Sequence, residues 1–254
     1  MKMKGGIRRV PPFLSTPLLS VPPLGEADKI QNSGYCADGV SGFPLYRWFV
    51  PDMRVLKDDK YEAILRAARS EFIRKGYKEA SMRAIAAASG VGLSNVYNYF
   101  PGKDGIYAAV VGPARDELFL FIVRQHGEER VDFNRYAPFG HCDDIIDDYI
   151  DIIERYREEL RLLFYGSDGS SMGGFREAFT DHLTQVSSDY MALERRMFPQ
   201  TREVSPCFIH ALSSWMVSVV GEIVAHELDR HRIRDFFREY FRFEFAGWRE
   251  LTGN

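Results

Sequence analysis

The chain has 254 residues, of which 45% are hydrophobic and 27% are charged, a balance typical of a soluble globular protein with a packed core. Its three cysteines, Cys36, Cys142 and Cys207, are widely spaced and include no CxxC pair. This spacing argues against a disulfide framework or zinc knuckle and favours a reduced, cytoplasmic compartment. No apolar run approaches the roughly 20 residues that span a bilayer, so we expect no membrane segment.

The first 56 residues differ in composition from the rest of the chain. They contain seven prolines and many glycines and serines, and their apolar residues follow neither a helical nor a strand period. Segments of this kind bury too little apolar surface to offset the entropy lost on ordering. The sequence therefore predicts a mostly disordered extension over residues 1–56.

A helical pattern begins at Asp58, where an apolar face develops, and Gly76 is a natural stop. Two short helices are predicted next, one from Ser81 to Ser89 and one from Leu93 to about Phe100, separated by a glycine-containing turn. Pro101-Gly102 should end the second helix, and another helix should begin near Lys103. A proline inside that fourth helix, Pro113 after Gly112, predicts a kink or a stop and restart.

The remainder of the chain also has helical periodicity. The clearest stripe of apolar residues covers 143–165, a glycine-rich loop follows over 166–174, and helices fit 175–198, 205–229 and 231–250. No strand pattern occurs, so the predicted fold class is all-α. We expect a small N-terminal helical domain at residues 57–104 and a larger C-terminal helical domain at 105–254.

Charge is distributed unevenly between these two predicted domains. Residues 57–104 carry nine Lys/Arg against six Asp/Glu, whereas residues 105–254 carry an excess of acidic side chains. A small basic module on an acidic body suits an N-terminal domain that binds phosphate groups.

The two short helices and their turn have the layout of a helix-turn-helix. Ile85, Val91, Val96 and Phe100 would form its small core, which leaves the outer face of the second helix free to enter the major groove of DNA. Asparagine can pair with adenine, and tyrosine hydroxyls suit phosphate oxygens. Lys103, beside the free N–H groups at the start of the next helix, would form a phosphate clamp with them. The predicted DNA-binding residues are Ser81, Arg83, Ser94, Asn95, Tyr97, Asn98, Tyr99 and Lys103.

This segment resembles the DNA-binding domain of the tetracycline-repressor (TetR) family. The resemblance rests on elements that occur here in register: Ser81, Ile85-Ala86, Ser89-Gly90-Val91, Tyr97-Asn98-Tyr99-Phe100 and Lys103-Asp104. It implies a homodimer of nine- or ten-helix subunits that binds a palindromic operator through the helix-turn-helix DNA-binding domain at residues 57–104. Residues 105–254 would then form the effector-binding and dimerisation domain, which binds a small molecule. Two positions depart from the family pattern, since Gly92 stands where serine is usual and Ser94 where glycine or alanine is frequent.

The C-terminal domain offers two further predictions. Ser214, Ser218, Gly221 and Ala225 form a row of small residues that would let a helix of a partner subunit approach closely. An apolar or aromatic effector would bind among residues that are equally suitable as ordinary core. The candidate lining is Phe164, Tyr165, Phe179, Met191, Trp215 and Met216.

Other signals favour simpler interpretations. Five aspartates between Asp143 and Asp151 could suggest a metal site, but a solvated acidic first turn is the preferred interpretation. No catalytic motif, metal-ligand set or cofactor loop is evident, so we expect neither an enzyme nor a bound cofactor. The leading hypothesis is a ligand-responsive repressor. The alternatives are a nucleoid or segregation factor without an effector and, third, a helical enzyme.

Overall fold

The computed structural model describes residues 59–128, 130–131, 142–226 and 228–253, so the predicted disordered extension at 1–56 lies outside the described residues. Eight helices of at least seven residues carry the fold, and the described residues contain no strand. The all-α prediction is confirmed. The helices are α1 (Asp59–Glu79), α2 (Met82–Ser89), α3 (Leu93–Tyr99), α4 (Lys103–Gln125), α5 (Asp143–Tyr165), α6 (Phe175–Met197), α7 (Pro206–Ala225) and α8 (Arg230–Thr252).

The first three helices form a compact unit with the predicted small core. Ile85 and Val96 are fully buried, and Val91 and Phe100 are nearly so. Gly90 ends α2 in the left-handed conformation, at φ 69°, which costs glycine little because it has no Cβ. The turn between α2 and α3 is therefore fixed by one glycine and by the apolar residues that flank it.

Helix α5 is the central element of the remaining structure. It packs against α1, α4, α6, α7 and α8, because its apolar residues form a wide stripe rather than a narrow seam. Ile146, Ile150, Ile153 and Leu160 on this stripe are almost completely buried. The helix has the bounds that its apolar period predicted.

The acidic start of α5 is paired with arginines of α8. Arg230 contacts Asp151 at 2.9 Å and Glu154 at 2.7 Å, and Arg238 contacts Asp143 at 3.0 Å. Arg234 pairs with Asp147. The preferred interpretation as a merely solvated turn was incomplete, because these carboxylates form a ladder of ion pairs along the surface. Each exposed pair stabilises the fold only weakly because water screens it, but together they align α8 along α5.

Helix α4 runs through Gly112 and Pro113 without stopping, so the predicted stop and restart was wrong. Proline removes one backbone donor and crowds the preceding turn. Pro113 is exposed, and at an exposed position water can satisfy the carbonyl left without a donor. The first and last turns of α4 thus belong to one helix.

Helix α7 is long and apolar enough by composition to cross a membrane, but half of its apolar window is buried within the chain. It packs against α5 and α6. A helix that is apolar on most sides behaves in this way when it lies in the core of a globular domain.

Gly221 of α7 faces its own chain, which corrects the prediction that it admits a partner helix. A Cβ at this position would lie 2.9 Å from the Tyr165 hydroxyl and 3.2 Å from a ring carbon of Phe164. Both residues belong to α5. The missing side chain lets α7 approach α5 within one subunit.

Gly221→Ala should therefore lower the free energy of unfolding by about 1–3 kcal/mol, as overpacking of a filled core does. Gly112→Ala is the matched control, because Gly112 is also buried and helical but a Cβ there meets nothing within 4 Å. Chemical denaturation would measure both variants. A Gly221→Ala protein of parental stability that fails to dimerise would contradict this assignment.

Candidate functional site

The outer face of α3 presents a small polar surface. Tyr97 is 50% exposed, and Ser94 and Asn98 are also exposed. The Asn98 side-chain amide donates a hydrogen bond to the Asn95 side-chain oxygen at 3.2 Å. One turn of helix therefore holds two amide groups side by side, and base contact by either remains a prediction.

Tyr99 occupies a different environment from Tyr97. Its ring is partly buried and lies 6.5 Å from the ring of Tyr61 on α1, while Phe100 stacks on Tyr61 at 5.1 Å. The body of Tyr99 thus helps to fix α3 against α1, and DNA contact by this residue remains a prediction.

Two predicted contact residues lie at the start of α2. Ser81 is the N-cap residue, although its side chain makes no capping hydrogen bond, and Arg83 is exposed. Their roles at DNA also remain predictions.

Lys103 has a role inside the domain that the sequence did not indicate. Its ammonium group donates hydrogen bonds to the carbonyl oxygens of Tyr77 at 2.8 Å, Lys78 at 3.1 Å and Ala80 at 3.1 Å, and it lies 4.5 Å from the centre of the Tyr77 ring. An ammonium group has three donors, so all three are engaged at the end of α1. This geometry gives no support to the predicted phosphate clamp by Lys103.

The same region is bonded to the end of α5. The Tyr77 backbone N–H donates to the Gly166 carbonyl at 2.9 Å, and the buried Tyr107 hydroxyl donates to the Leu162 carbonyl at 3.0 Å. The Asp104 carboxylate accepts from the backbone N–H of Ser171 at 2.8 Å. Burial raises the pKa of Tyr107, so its hydroxyl keeps the proton that it donates.

A cavity of about 170 Å³ lies among α4, α5, α6, α7 and α8. Its walls are mainly apolar and aromatic, with Ile122, Leu183 and Ile209 on three different helices. Apolar cavities of about 150 Å³ are large enough to bind benzene, so this one suits a ligand with a single aromatic ring or a short aliphatic body.

Polar groups enter the cavity from several sides. His126 at the end of α4 donates its Nδ1–H to the Ile122 carbonyl, 2.8 Å away, and burial lowers its pKa. Glu244 of α8 is desolvated, which raises its pKa to about 7. The polar lining residues also include Gln125, Ser187, Tyr190, Glu194 and Arg249.

Only part of the predicted pocket lies at this cavity. Met191 and Met216 line it, whereas Phe164 and Phe179 are buried core residues that both pack on Phe175. Tyr165 and Trp215 are 47% and 38% exposed. The structure therefore brings together two of the six residues.

The N-terminal segment has a family match. Residues 64–110 match the model of the bacterial regulatory proteins of the tetR family. This segment includes α2, α3 and the first turns of α4, where the contacts described above lie. This part of the chain therefore has the sequence of a TetR-family DNA-binding segment.

Solved structures of TetR-family proteins share the fold over most of their length. A TetR-like transcriptional regulator from Rhodococcus sp. RHA1 matches with a TM-score of 0.51 and 18% identity, over 77% of this chain and 97% of that one. A TetR-family transcriptional regulator from Syntrophomonas wolfei matches with a TM-score of 0.52 and 15% identity, over 74% and 95%. These identities show a shared fold. A search of curated proteins by sequence finds no match.

The matched segment and the shared fold support a DNA-binding regulator with an N-terminal helix-turn-helix and a C-terminal helical region. Sequence reasoning missed the polar lining of its cavity. One signal was present, because Glu244 falls at helical spacing between Tyr240 and Trp248 in an aromatic stripe. A carboxylate in such a stripe indicates a polar group that faces the interior.

Lys103→Met should lower the free energy of unfolding by about 1–3 kcal/mol, since three carbonyls at the end of α1 lose a charged donor. Arg83→Met is the matched control, because Arg83 is exposed in the same domain and its loss should leave the melting temperature unchanged. Thermal unfolding would compare the two. A Lys103→Met protein that melts like the parent but has lost DNA affinity would restore the phosphate-clamp hypothesis.

Proposed function

We propose that this TetR-family protein is a homodimeric transcriptional repressor that leaves a palindromic operator in double-stranded DNA when a small ligand fills the cavity. The observation that carries the proposal is the course of α4. Its first turns bond to the ends of α1 and α5, and its last turns supply Ile122, Gln125 and His126 to the cavity. A ligand that displaces one end of this helix acts on the other.

The cavity also favours this function over a nucleoid or segregation factor. Such a factor would use the same helix-turn-helix without an effector and would need no ligand-sized space. We place the repressor in the cytoplasm, where it meets double-stranded DNA. Its domains, in this proposal, are the predicted DNA-binding region at 57–104 and the effector and dimerisation region at 105–254.

At DNA, we assign base reading to the face of α3 that carries Asn95, Tyr97 and Asn98, with Ser94 and Arg83 beside it. Asn95→Ala and Asn98→Ala should change which bases are preferred, because a bidentate contact to a base discriminates by about 1–3 kcal/mol. Arg83→Ala should weaken binding to all DNA sequences to a similar extent and reduce the dependence of the affinity on salt concentration.

Sequencing the genomic fragments that the purified protein retains would identify the operator, and fluorescence anisotropy would then compare the variants. The proposal fails if the protein retains genomic fragments with no preference over random DNA.

For the dimer, we assign the exposed apolar residues of α7 and α8 to the contact between subunits. Trp215 packs against Tyr240 and Phe243, and Phe243 is 67% exposed. Large apolar side chains grouped on a surface usually indicate an interface. In this assignment, these aromatic residues replace the row of small residues around Gly221 as the contact between subunits.

Phe243→Glu should yield a monomer, because it places a charge in the apolar contact between subunits. Leu120→Glu serves as the control, since Leu120 is a 46% exposed apolar residue on α4, away from this surface. Analytical ultracentrifugation would determine both states. If Phe243→Glu sediments as the parental dimer, the interface lies elsewhere.

A further inference from the structure

We infer that the cavity recognises an organic cation, an amine or quaternary ammonium ion with an aromatic or aliphatic body, and that Glu244 is its counter-ion. This inference rests on the proposed function for the biological role of the ligand. The recognition itself follows from the lining of the cavity. It narrows the apolar or aromatic effector that the sequence predicted to one with a positive charge.

Aromatic rings form much of the wall around Glu244. A ring face attracts a cation through its quadrupole, and the attraction grows when the cation is removed from water. A purely apolar ligand gains nothing from this term. The rings that line the cavity are those of Tyr149, Tyr190, Phe241, Phe245 and Trp248.

The ionisable groups at the cavity also favour a positive ligand. Two carboxylates, Glu194 from α6 and Glu244 from α8, face one guanidinium, Arg249 of α8. His126 from α4 is neutral at neutral pH because burial lowers its pKa. Burial likewise keeps Tyr149 of α5 protonated by raising its pKa. The formal charge is therefore negative once Glu244 ionises.

Glu244 is the carboxylate that needs a cation. The groups that favour its ionised form are the hydroxyl of Tyr240 and the side chain of Trp248, which are both neutral. No ion pair joins Glu244 to a basic side chain within the described ranges. Glu194 and Arg249, by contrast, already have interactions within the chain. A bound cation would offset the desolvation that now disfavours the Glu244 carboxylate.

A second hydrogen-bond acceptor, besides the Glu244 carboxylate, lies at the same cavity. The side-chain oxygen of Gln125 is buried and accepts no hydrogen bond from the described residues. A ligand that carries N–H groups could donate to this oxygen while its charge meets Glu244. An anionic ligand would instead face both acceptors, the Gln125 oxygen and the Glu244 carboxylate, which is an unfavourable arrangement.

The test uses a pair of ligands that share one shape. Phenyltrimethylammonium is a permanent cation, and tert-butylbenzene is its neutral counterpart with carbon in place of nitrogen. Binding to the full-length protein without DNA would be measured by isothermal titration calorimetry at pH 8, with benzoate as an anionic probe. The variants are Glu244→Gln, which keeps the shape of the side chain, and Glu250→Gln, an exposed glutamate of α8 outside the cavity.

We expect the cation to bind about tenfold or more tightly than tert-butylbenzene, a difference that an ion pair and ring contacts readily supply. Glu244→Gln should abolish this preference and leave the affinity for tert-butylbenzene unchanged, whereas Glu250→Gln should preserve the preference. Equal binding of the two probes, tighter binding of benzoate, or a preference that survives Glu244→Gln would each overturn the inference, as would the absence of binding by any probe.

The pH dependence separates Glu244 from the other ionisable groups. With a pKa of about 7, Glu244 is largely protonated at pH 6 and largely ionised at pH 8, so affinity for the cation should rise roughly tenfold over that range. Phenyltrimethylammonium cannot titrate, and Glu244→Gln should remove the increase. An increase that persists in the variant would assign the effect to His126 and contradict the role of Glu244.

Release of operator DNA is measured separately, by anisotropy with the same probes. A protein that prefers the cation through Glu244 but never releases DNA would keep this inference and refute the proposed effector response. A protein that releases DNA equally with the cation and with tert-butylbenzene would keep the proposed effector response and refute the preference for a cation.

Discussion

The carbonyl end of α5 joins the helix-turn-helix to the rest of the molecule. Two carbonyls at this end, that of Leu162 in the last turn of α5 and that of Gly166 directly after it, accept hydrogen bonds from other helices. The Leu162 carbonyl also accepts from the Gly166 N–H at 2.9 Å. Tyr107 of α4 reaches the Leu162 carbonyl and the backbone of Tyr77 reaches the Gly166 carbonyl. Helix α5 also packs against four other helices besides α1. The same helix therefore lines the cavity and supports the N-terminal helices that position α3.

Helix α4 connects the ends of α1 and α5 to the cavity as one continuous element. Helix α4 continues through Pro113, and Tyr107 on its buried face is fixed by an aromatic cluster with Phe72 and Tyr77. Packed interiors respond to a ligand by small rigid displacements rather than by gradual bending. In the proposed ligand response, the angle between α4 and α5 would therefore change when a ligand occupies the cavity.

The features predictable from sequence are those set by local periodicity. The bounds of α5 follow from its apolar stripe, and the buried positions of Ile85, Val91, Val96 and Phe100 follow from the spacing of the helix-turn-helix. What could not be predicted depends on residues far apart in the chain. Lys103 lies 26 residues from Tyr77, and the neighbour of Gly221 is Phe164 of another helix. Residue types and their spacing in the sequence do not determine which helices pack against each other. The cavity lining was missed for the same reason, since its residues come from five helices.

The contact of Lys103 also limits which residues could replace it. Three carbonyl oxygens converge on one nitrogen, and an ammonium group meets them with donors that radiate from a single atom. Arginine carries the same charge, but its donors lie in a plane on a broader group and match a carboxylate or phosphate instead. Exchange of lysine for arginine, conservative in charge, would therefore leave carbonyls at the end of α1 without donors. Position 103 therefore requires the compact ammonium group of lysine. Because this group is already bonded within the chain, the nine basic residues at 57–104 are not equally available to the phosphates of DNA.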